Sequence, residues 1–235
     1  MTAPTERPHR NFYGRRRGKH LKDSARRRVE DQLGRVRLAG VDWDENPERA
    51  PLDLPRNRPV WLEVGFGGGE HLAHQARANP DALILGAEPY LDGVAKLLAL
   101  LEGADNVRIH PGDARDLMDV LPEGSVAKAF LLYPDPWPKA RHHRRRFVTA
   151  EHLGPLHRAM VPGAELRVAT DIGDYVRQTL VEVPRAGFEW QAQGPEDWRT
   201  PWPDWVRTRY EAKAVREGRP RHYLTFRRIR AATGR

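Results

Sequence analysis

Cysteine is absent from the 235-residue chain, which excludes a disulfide, a thiolate nucleophile and a cysteine-ligated zinc site. Long apolar runs are missing too, and none approaches the length of a membrane span. The N-terminal segment is basic, but the apolar stretch that a secretory signal needs does not follow it. These absences predict a soluble protein of the cytoplasm.

Acidic residues are outnumbered, since 32 aspartates and glutamates stand against 40 lysines and arginines, giving a formal net charge of +8. A basic excess attracts polyanions and speeds encounter with them. The excess lies in two arginine-rich blocks rather than along one amphipathic helix, which favours a nucleic acid over a membrane surface as the partner. The length suits one α/β domain with an extension.

The first basic block lies near the N-terminus and contains Arg15, Arg16, Arg17, Lys19, Lys22, Arg26, Arg27 and Arg28. Like charges at this density repel one another. We therefore predict a flexible basic arm over residues 1–57, a folded domain over residues 58–230 and a short tail over residues 231–235. The arm is interpreted as a contact for nucleic acid, and the alternative is a solubilising tail.

Short apolar runs alternate with helical patterns from residue 59 onward. The apolar runs are 60–64, 83–88, 107–109, 127–133 and 165–169. This alternation predicts a doubly wound, mostly parallel sheet covered by helices on both faces. Two late runs, at 188–191 and 223–226, predict an antiparallel edge.

Polar and glycine signals stand at the ends of the predicted strands, where open α/β sheets bind ligands. A glycine-rich turn follows the first strand, with Gly65, Gly67 and Gly69. Glycine there lets the backbone turn tightly and approach a cofactor closely. Glu63 precedes the turn, Glu88 is placed to accept from two ribose hydroxyls, and Asp113 is placed to accept from an adenine amino group.

Two ligands suit such a turn, a dinucleotide and S-adenosylmethionine. A pyrophosphate needs helix N-terminal amides and the spacing G-x-G-x-x-G. This chain has G-x-G-G-G, and Glu70 stands at the start of the next helix. An acid there disfavours a diphosphate but is compatible with a sulfonium amino acid. We therefore predict S-adenosylmethionine, with NAD as the alternative.

A proline-rich loop, Pro134-Asp135-Pro136-Trp137-Pro138-Lys139, follows the fourth strand. Its prolines stiffen the backbone. Asp135 is expected to lie across the sheet from the glycine turn and to face the methyl group of the donor. Trp137 is interpreted as stacking on a base, and Lys139 as reaching a phosphate or a base carbonyl. The alternatives are a core position for Trp137 and a turn-capping role for Asp135.

The second basic block follows directly and contains Arg141, His142, His143, Arg144, Arg145 and Arg146. Arginines beside a substrate loop suit RNA phosphates. A metal site on the paired histidines is disfavoured because the surrounding arginines would repel a cation. A solvated surface face is the remaining alternative.

Two carboxylates are candidates for recognising a guanine, which presents donors at N1 and N2. Asp171 ends the fifth strand, and Glu211 closes the segment Thr208-Arg209-Tyr210-Glu211. We predict that Asp171 and Glu211 hold the base. The tryptophans around this segment are interpreted as packing residues, with a lid as the alternative; they are Trp198, Trp202 and Trp205.

With these residues assembled, the chain resembles the bacterial tRNA (guanine-N7)-methyltransferase family. The resemblance runs from Arg56 to Phe226 and is carried by EVGFGGG, GAEPY, PGDA, LLYPDPWPKARHHRRR, ATD and TRYE. It implies a Rossmann-like methyltransferase sheet, S-adenosylmethionine as the donor and a guanine of the tRNA variable loop as the acceptor. The chain departs from the family pattern at Gly68, Tyr133, Ala140 and Tyr210, and the missing lysine at position 140 is expected to weaken RNA contact.

The resemblance also implies roles for individual residues. Asp135 is the implied catalytic residue. The implied donor site consists of Glu63, Glu88, Asp113 and Asp135. The implied substrate contacts are Lys139, Asp171, Thr208, Arg209, Tyr210 and Glu211. The implied RNA contacts are Arg141 to Arg146, no metal is implied, and a monomer is the favoured state.

Two other functions stay open on the sequence alone. A methyltransferase acting on an amino nitrogen of nucleic acid or protein also uses a proline-flanked acid or amide after its fourth strand. A non-catalytic RNA-binding protein on a vestigial nucleotide fold is the second alternative. The intact acids at the strand ends argue against the latter.

Overall fold

The computed structural model describes residues 10–13 and 21–229. Its strands are β1 (Val60–Val64), β2 (Leu83–Ala87), β3 (Val107–His110), β4 (Val126–Leu132), β5 (Met160–Thr170), β6 (Phe188–Trp190) and β7 (His222–Arg228). Its helices are α1 (Asp23–Val36), α2 (Glu70–Ala78), α3 (Leu91–Leu100), α4 (Ala114–Val120), α5 (Ala150–Ala159), α6 (Gly173–Arg185), α7 (Glu196–Arg199) and α8 (Arg209–Arg216), with a 3-10 helix over Ala140–Arg145. Within these ranges, no helix has the length and apolar character to cross a bilayer.

All seven strands form one sheet in the order β3-β2-β1-β4-β5-β7-β6. The first five strands are parallel, and β7 is antiparallel to both of its neighbours. The predicted doubly wound, mostly parallel sheet with an antiparallel edge is therefore confirmed. One expectation needs correction, because β1 pairs directly with β4 and Val64 lies opposite Leu131. The glycine turn and the proline-rich loop thus leave the sheet side by side, rather than across the sheet from each other.

Helices cover both faces of the sheet because the central strands are apolar on both sides. The helices α1, α2 and α3 pack on one face, around Ile84 and Leu97. The helices α4, α5 and α6 pack on the other face, around Leu85 and Leu166. The helices on the two faces thus leave space between them at the carboxyl ends of the parallel strands.

The segment before β1 differs from the expected flexible arm over its described part. Helix α1 packs against α3 and β3. Val29, Leu33 and Val36 recur at helical spacing and turn toward the apolar cluster beneath α3. Val41 is fully buried in the opposite cluster. Residues 14–20 lie outside the described residues, and the domain boundary at residue 58 stays a prediction.

Leu224 on β7 tests how much the sheet depends on its buried side chains. The residue is fully buried on the face that α4, α5 and α6 cover. We expect Leu224→Ala to lower the free energy of unfolding by about 2–5 kcal/mol, because the substitution loses buried methyl groups and leaves a cavity. Leu100→Ala, at the partly exposed end of α3, is the matched control and should cost less than half as much. Urea titrations that gave equal losses would contradict this account.

Candidate active site

A cavity of about 790 Å³ lies at the carboxyl ends of the central parallel strands. Its walls come from the turns after β1, β2, β3 and β4, from the 3-10 helix, from α8 and from residues 10–13. The predicted site residues that line it are Gly65, Gly67, Glu88, Asp113, Asp135, Arg144, Arg145 and Tyr210. The signals at the ends of four different strands therefore meet in one place, as ligand binding in an open α/β sheet requires.

The glycine turn after β1 is shaped by close neighbours on two sides. Gly65 and Gly67 have φ angles of 68° and 57°, which side chains rarely adopt. A Cβ on Gly67 would lie 2.9 Å from Cε2 of Tyr210. A Cβ on Gly93 of α3 would overlap the Gly67 carbonyl oxygen. Glycine is thus required where α3 and α8 approach the turn.

Glu88 joins this turn to the end of β2. Its Oε2 accepts a hydrogen bond from Gly67 N at 2.8 Å, and its Oε1 accepts one from Tyr90 N at 2.9 Å. Burial raises the pKa of Glu88, these hydrogen bonds oppose that effect, and the charge of Asp135 adds to it. Each carboxylate oxygen keeps a second lone pair, so Glu88 can still accept from a hydroxyl of a ligand.

Asp113 caps α4 through its Oδ1, which accepts from Arg115 N at 3.0 Å. The guanidinium of Arg115 also donates from Nε to Oδ2 of Asp113 at 3.0 Å. Burial raises the pKa of Asp113, but the hydrogen bonds and charge of Arg115 outweigh burial and hold it below its usual range. Arg115 Nη2 donates to the carbonyl of Asn11 at 3.1 Å, so one arginine joins Asp113 to the N-terminal segment.

The loop after β4 contains two residues with unfavourable backbone angles. Tyr133 and Trp137 have φ angles of 49° and 40°, and each precedes a proline, where sterics restrict the backbone further. Asp135 lies between them, and its carboxylate is exposed to the cavity. Within the described ranges it accepts no hydrogen bond, and partial burial raises its pKa. An unpaired carboxylate therefore faces the cavity beside the glycine turn.

Residues 10–13 form a wall of the cavity that the sequence analysis did not identify. Arg10 donates to both carboxylate oxygens of Asp119 on α4, at 2.7 and 2.9 Å. Tyr13 meets Trp137 edge to face at 6.3 Å between ring centroids. The guanidinium of Arg145 lies 4.6 Å from the Tyr13 centroid and 5.0 Å from that of Trp137. Trp137 thus lines the cavity and is not a core residue, and the aromatic pair inside a basic segment was the available signal for this wall.

Glu63 lies on β1 and is not among the residues that line the cavity. It is buried, and its Oε2 is 2.7 Å from Nδ1 of His71 on α2. The other ring nitrogen of His71 is 3.2 Å from Nε2 of Gln75. The structure therefore places Glu63 in a buried pair with a histidine that the sequence analysis missed, and its contact with a donor stays a prediction.

The two carboxylates predicted to hold guanine do not line the cavity. Asp171 accepts from Arg219 Nε at 2.5 Å. Glu211 is buried, and its Oε2 accepts from Trp205 Nε1 at 2.7 Å while its Oε1 accepts from the hydroxyl of Tyr223. Contact with a base would therefore require both carboxylates to exchange or share their present partners.

The rest of the segment around α8 lies against the glycine turn. Thr208 caps the helix, and Tyr210 lines the cavity. Arg209 Nε donates to Oε1 of Glu70 at 2.7 Å. A Cβ on Gly68 would overlap Nη2 of Arg209, so a larger residue there would displace the guanidinium. The glycine at position 68, where the chain departs from the family pattern, therefore leaves space for the Arg209–Glu70 ion pair.

The second basic block occupies the 3-10 helix beside the cavity. Lys139, Arg141 and Arg144 are exposed, and Arg144 also lines the cavity. His142 packs edge to face on Trp137, with 5.9 Å between ring centroids. Exposed cations beside a cavity can reach phosphates, although Arg141 Nε also donates to Nε2 of His142 at 3.3 Å. In the described part of the chain, no group of histidine and acidic side chains is arranged to hold a metal ion.

Two members of this block differ from the expected surface position. His143 Nε2 lies 3.1 Å from Oδ2 of Asp174 on α6. Arg146 is almost completely buried and donates from Nη2 to the same oxygen at 2.8 Å. It also donates from Nε to the carbonyl of Pro136 at 2.8 Å. The guanidinium of Arg146 is therefore enclosed by protein in this arrangement, and its contact with RNA stays a prediction.

The tryptophans near α8 take packing positions, as the sequence analysis interpreted them. Trp202 is buried and donates from Nε1 to Oγ1 of Thr225 at 2.8 Å. Trp198 stacks on His222 with 5.7 Å between ring centroids. Neither side chain lines the cavity.

Comparison with known proteins agrees with the geometry. A family profile described as a putative methyltransferase matches residues 57–224. The tRNA (guanine-N(7)-)-methyltransferase of Jannaschia sp. (strain CCS1) is 66% identical over 232 residues, which cover 96% of this chain and 98% of the relative. The protein of the same name from Agrobacterium fabrum (strain C58 / ATCC 33970) is 45% identical over 223 residues, covering 92% and 94%. The chain belongs to the tRNA (guanine-N7)-methyltransferase family.

Solved structures share the fold of this family member at low sequence identity. The 16S rRNA methyltransferase KamB superposes with a TM-score of 0.55 at 20% identity, covering 74% of this chain and 90% of KamB. A mutant of the 16S rRNA (adenine(1408)-N(1))-methyltransferase from Catenulisporales acidiphilia, with cosubstrate SAM, superposes with a TM-score of 0.53 at 17% identity. The superposed region covers 78% of this chain and 96% of the chain of that rRNA methyltransferase. These likenesses confirm the Rossmann-like methyltransferase fold.

The cavity fits S-adenosylmethionine, the predicted methyl donor. The volume is within the range of small-molecule sites. The glycine turn offers backbone without side chains, and Glu88 and Asp113 offer acceptors at the ends of β2 and β3. The acids that line the cavity also suit a positively charged sulfonium better than a pyrophosphate.

Gly67 tests whether the close fit at the glycine turn serves donor binding. We expect Gly67→Ala to weaken binding of S-adenosylmethionine by about tenfold or more, because the new Cβ is strained at this φ and presses on Tyr210. Gly103→Ala is the matched control, since Gly103 has a φ of 77° with open space around its Cβ position. It should lose stability but keep donor affinity. Isothermal titration with equal affinity for the Gly67 variant and the wild type would contradict this role.

Proposed function

We propose that the enzyme transfers the methyl group of S-adenosylmethionine to N7 of a guanine in the variable loop of tRNA. The observation that carries the proposal is the juxtaposition in one cavity of the glycine turn, Glu88 and the unpaired carboxylate of Asp135, with exposed arginines at the mouth. The names of the relatives support tRNA and guanine N7 as the acceptor. A cytoplasmic location follows from a tRNA substrate, and a monomer is the proposed state.

The proposed chemistry needs no general base, because N7 of guanine carries an available lone pair near neutral pH. When bound, the donor would supply a methyl group attached to a positively charged sulfur. N7 would form the new bond to the methyl carbon as the carbon–sulfur bond breaks, and the electron pair of the broken bond would stay on sulfur. Positive charge then grows on the purine. The ionised carboxylate of Asp135 stabilises that charge and orients the base. Catalysis otherwise depends on alignment, which supplies several kcal/mol.

The remaining site residues enter the proposal with different support. Glu88 and Asp113 hold the ribose and adenine of the donor, and Glu63 supports the turn from beneath through its pair with His71. Lys139 and Tyr210 meet the substrate at the mouth of the cavity. The hydrogen-bonded positions of Thr208, Arg209 and Glu211 support a role in placing α8 as much as direct contact with guanine. Asp171 is paired with Arg219 and would meet guanine only by sharing that partner.

A methyl-transfer assay tests the proposed function directly. Unmodified bulk tRNA is incubated with labelled S-adenosylmethionine, and the product nucleosides are identified by mass and retention time. We expect label in 7-methylguanosine, and we expect Asp135→Asn to lower kcat by about a hundredfold or more while tRNA affinity stays within about threefold. Label in another nucleoside would exclude guanine N7, and an unchanged kcat in the variant would exclude Asp135 from the chemistry.

The raised pKa of Asp135 predicts the acidic limb of the pH profile. Its carboxylate acts when ionised, so kcat/KM should rise with pH as Asp135 loses its proton. Because partial burial raises this pKa, the limb should lie above the ordinary range of an aspartate. The same limb should be missing from the residual activity of Asp135→Asn. A limb that persists in the variant would belong to another group.

The exposed arginines should determine affinity for tRNA rather than the chemical step. We expect Arg141→Ala and Arg144→Ala each to weaken tRNA binding and to reduce the slope of log affinity against log salt by about one. Arg185→Ala is the matched control, because Arg185 is also exposed but ends α6 and does not line the cavity. Filter binding over a salt series measures the slopes. Equal slopes for all three variants and the wild type would make the basic helix a solvated face only.

A further inference from the structure

We propose that Arg146 is a positioning residue that holds the loop of Asp135 in its active conformation and does not contact RNA. This inference rests on the proposed function, because it assumes that Asp135 acts on the methyl transfer. Four observations carry it: the burial of the guanidinium, its bonds to the loop, its bonds to α6 and the backbone angles of the loop itself.

The guanidinium of Arg146 binds the loop through main-chain atoms on the C-terminal side of Asp135. Nε donates to the carbonyl of Pro136 at 2.8 Å, and Nη2 lies 3.4 Å from the carbonyl of Trp137. The side chain has no exposed surface. It therefore cannot serve as a phosphate ligand without leaving the loop, although Arg141 and Arg144 of the same basic block are exposed.

The other side of the guanidinium is fixed to helix α6. Nη1 donates to Oε1 of Gln178 at 2.9 Å, and Nη2 donates to Oδ2 of Asp174 at 2.8 Å. The guanidinium carbon lies 5.2 Å from the centroid of the buried ring of Tyr175. Gln178 is itself held, since its Nε2 donates to the carbonyl of Val148 at 2.7 Å. One planar cation thus links the loop to a helix that packs on the sheet.

The loop needs such a link because its own backbone angles are unfavourable. Positive φ angles at Tyr133 and Trp137, each before a proline, persist only where surrounding contacts impose them. Tyr133 N donates to the carbonyl of Ala169 at 2.7 Å and fixes the start of the loop. Arg146 fixes its far side. Asp135 lies between the two anchors, and because its carboxylate accepts no hydrogen bond within the described ranges, its position depends on how the loop backbone is held.

The same anchor adjoins the predicted RNA contact. His143 Nε2 also lies 3.1 Å from Oδ2 of Asp174, so the 3-10 helix and the Asp135 loop both approach one carboxylate on α6. A shift of either element would strain the other through Asp174.

Arg146→Lys tests the proposal, because lysine keeps the positive charge but cannot donate to Pro136 and Gln178 at once. We expect kcat to fall by between tenfold and about a hundredfold, since small displacements of a catalytic group have effects of that order. KM for tRNA and the affinity for S-adenosylmethionine should stay within about threefold. Unchanged kcat would overturn the proposal. A loss confined to KM for tRNA would overturn it too and would return Arg146 to RNA binding.

Two further variants separate positioning from loss of folding. Arg158→Lys is the matched control, because Arg158 donates to the carbonyls of Leu121 and Met118 at 2.9 and 2.8 Å and does not line the cavity. It should lose similar thermal stability but keep kcat. Asp174→Asn weakens the anchor at a half-exposed position, and we expect a smaller fall in kcat with folding retained. Equal falls in kcat for Arg146→Lys and Arg158→Lys would overturn the proposal.

A double-mutant cycle with Asp135 gives the decisive comparison. If Arg146 acts through Asp135, Arg146→Lys should change the single-turnover rate constant by less than about threefold in the Asp135→Asn background. A full additional tenfold loss there would show that Arg146 acts by another route and would overturn the proposal. Failure of the proposed function is distinguishable, since the wild-type enzyme would then form no 7-methylguanosine at all.

Discussion

The parallel pairing of β1 with β4 is the constraint on which the site depends. Val64 lies opposite Leu131 at the carboxyl ends of these strands, so the two following segments leave the sheet next to each other. One segment becomes the glycine turn and the other the loop that carries Asp135. A shift of one residue in this register would turn every side chain to the opposite face and separate the two walls of the cavity. The apolar pattern on β1 and β4 therefore specifies the active site as well as the core.

The architecture could be predicted from the sequence because each parallel strand contains a short apolar run with a glycine or an acid soon after its end. The same signals located the cavity, since parallel strands bring their carboxyl ends to one edge. The pairing of side chains was not predictable in this way. Glu63 with His71, and Glu211 with Trp205 and Tyr223, are contacts between separate elements that no local spacing encodes.

The basic block shows how residue type alone can mislead. Arg144 and Arg146 are identical in chemistry and two positions apart, yet one is exposed and the other is enclosed between a loop and a helix. The difference arises because the 3-10 helix ends at Arg145 and turns the next side chain inward toward Asp174. The N-terminal segment shows the opposite case. Its charge predicted flexibility, but Arg10 and Tyr13 find partners on α4 and on Trp137.

Charges of opposite sign lie in different parts of the cavity. Acids lie inside it, where the charge of Asp135 helps to raise the pKa of Glu88, while arginines lie at its mouth. A donor with a positive sulfur relieves the repulsion between the acids, and tRNA phosphates relieve the repulsion between the arginines. After transfer, the positive charge has moved from sulfur to the purine. The spent donor then loses its electrostatic attraction to the acids, and the methylated base must leave Asp135 with the tRNA. The chemical step therefore redistributes the charge that attracts the donor to the acids, whereas the charges that attract the tRNA backbone to the arginines stay the same.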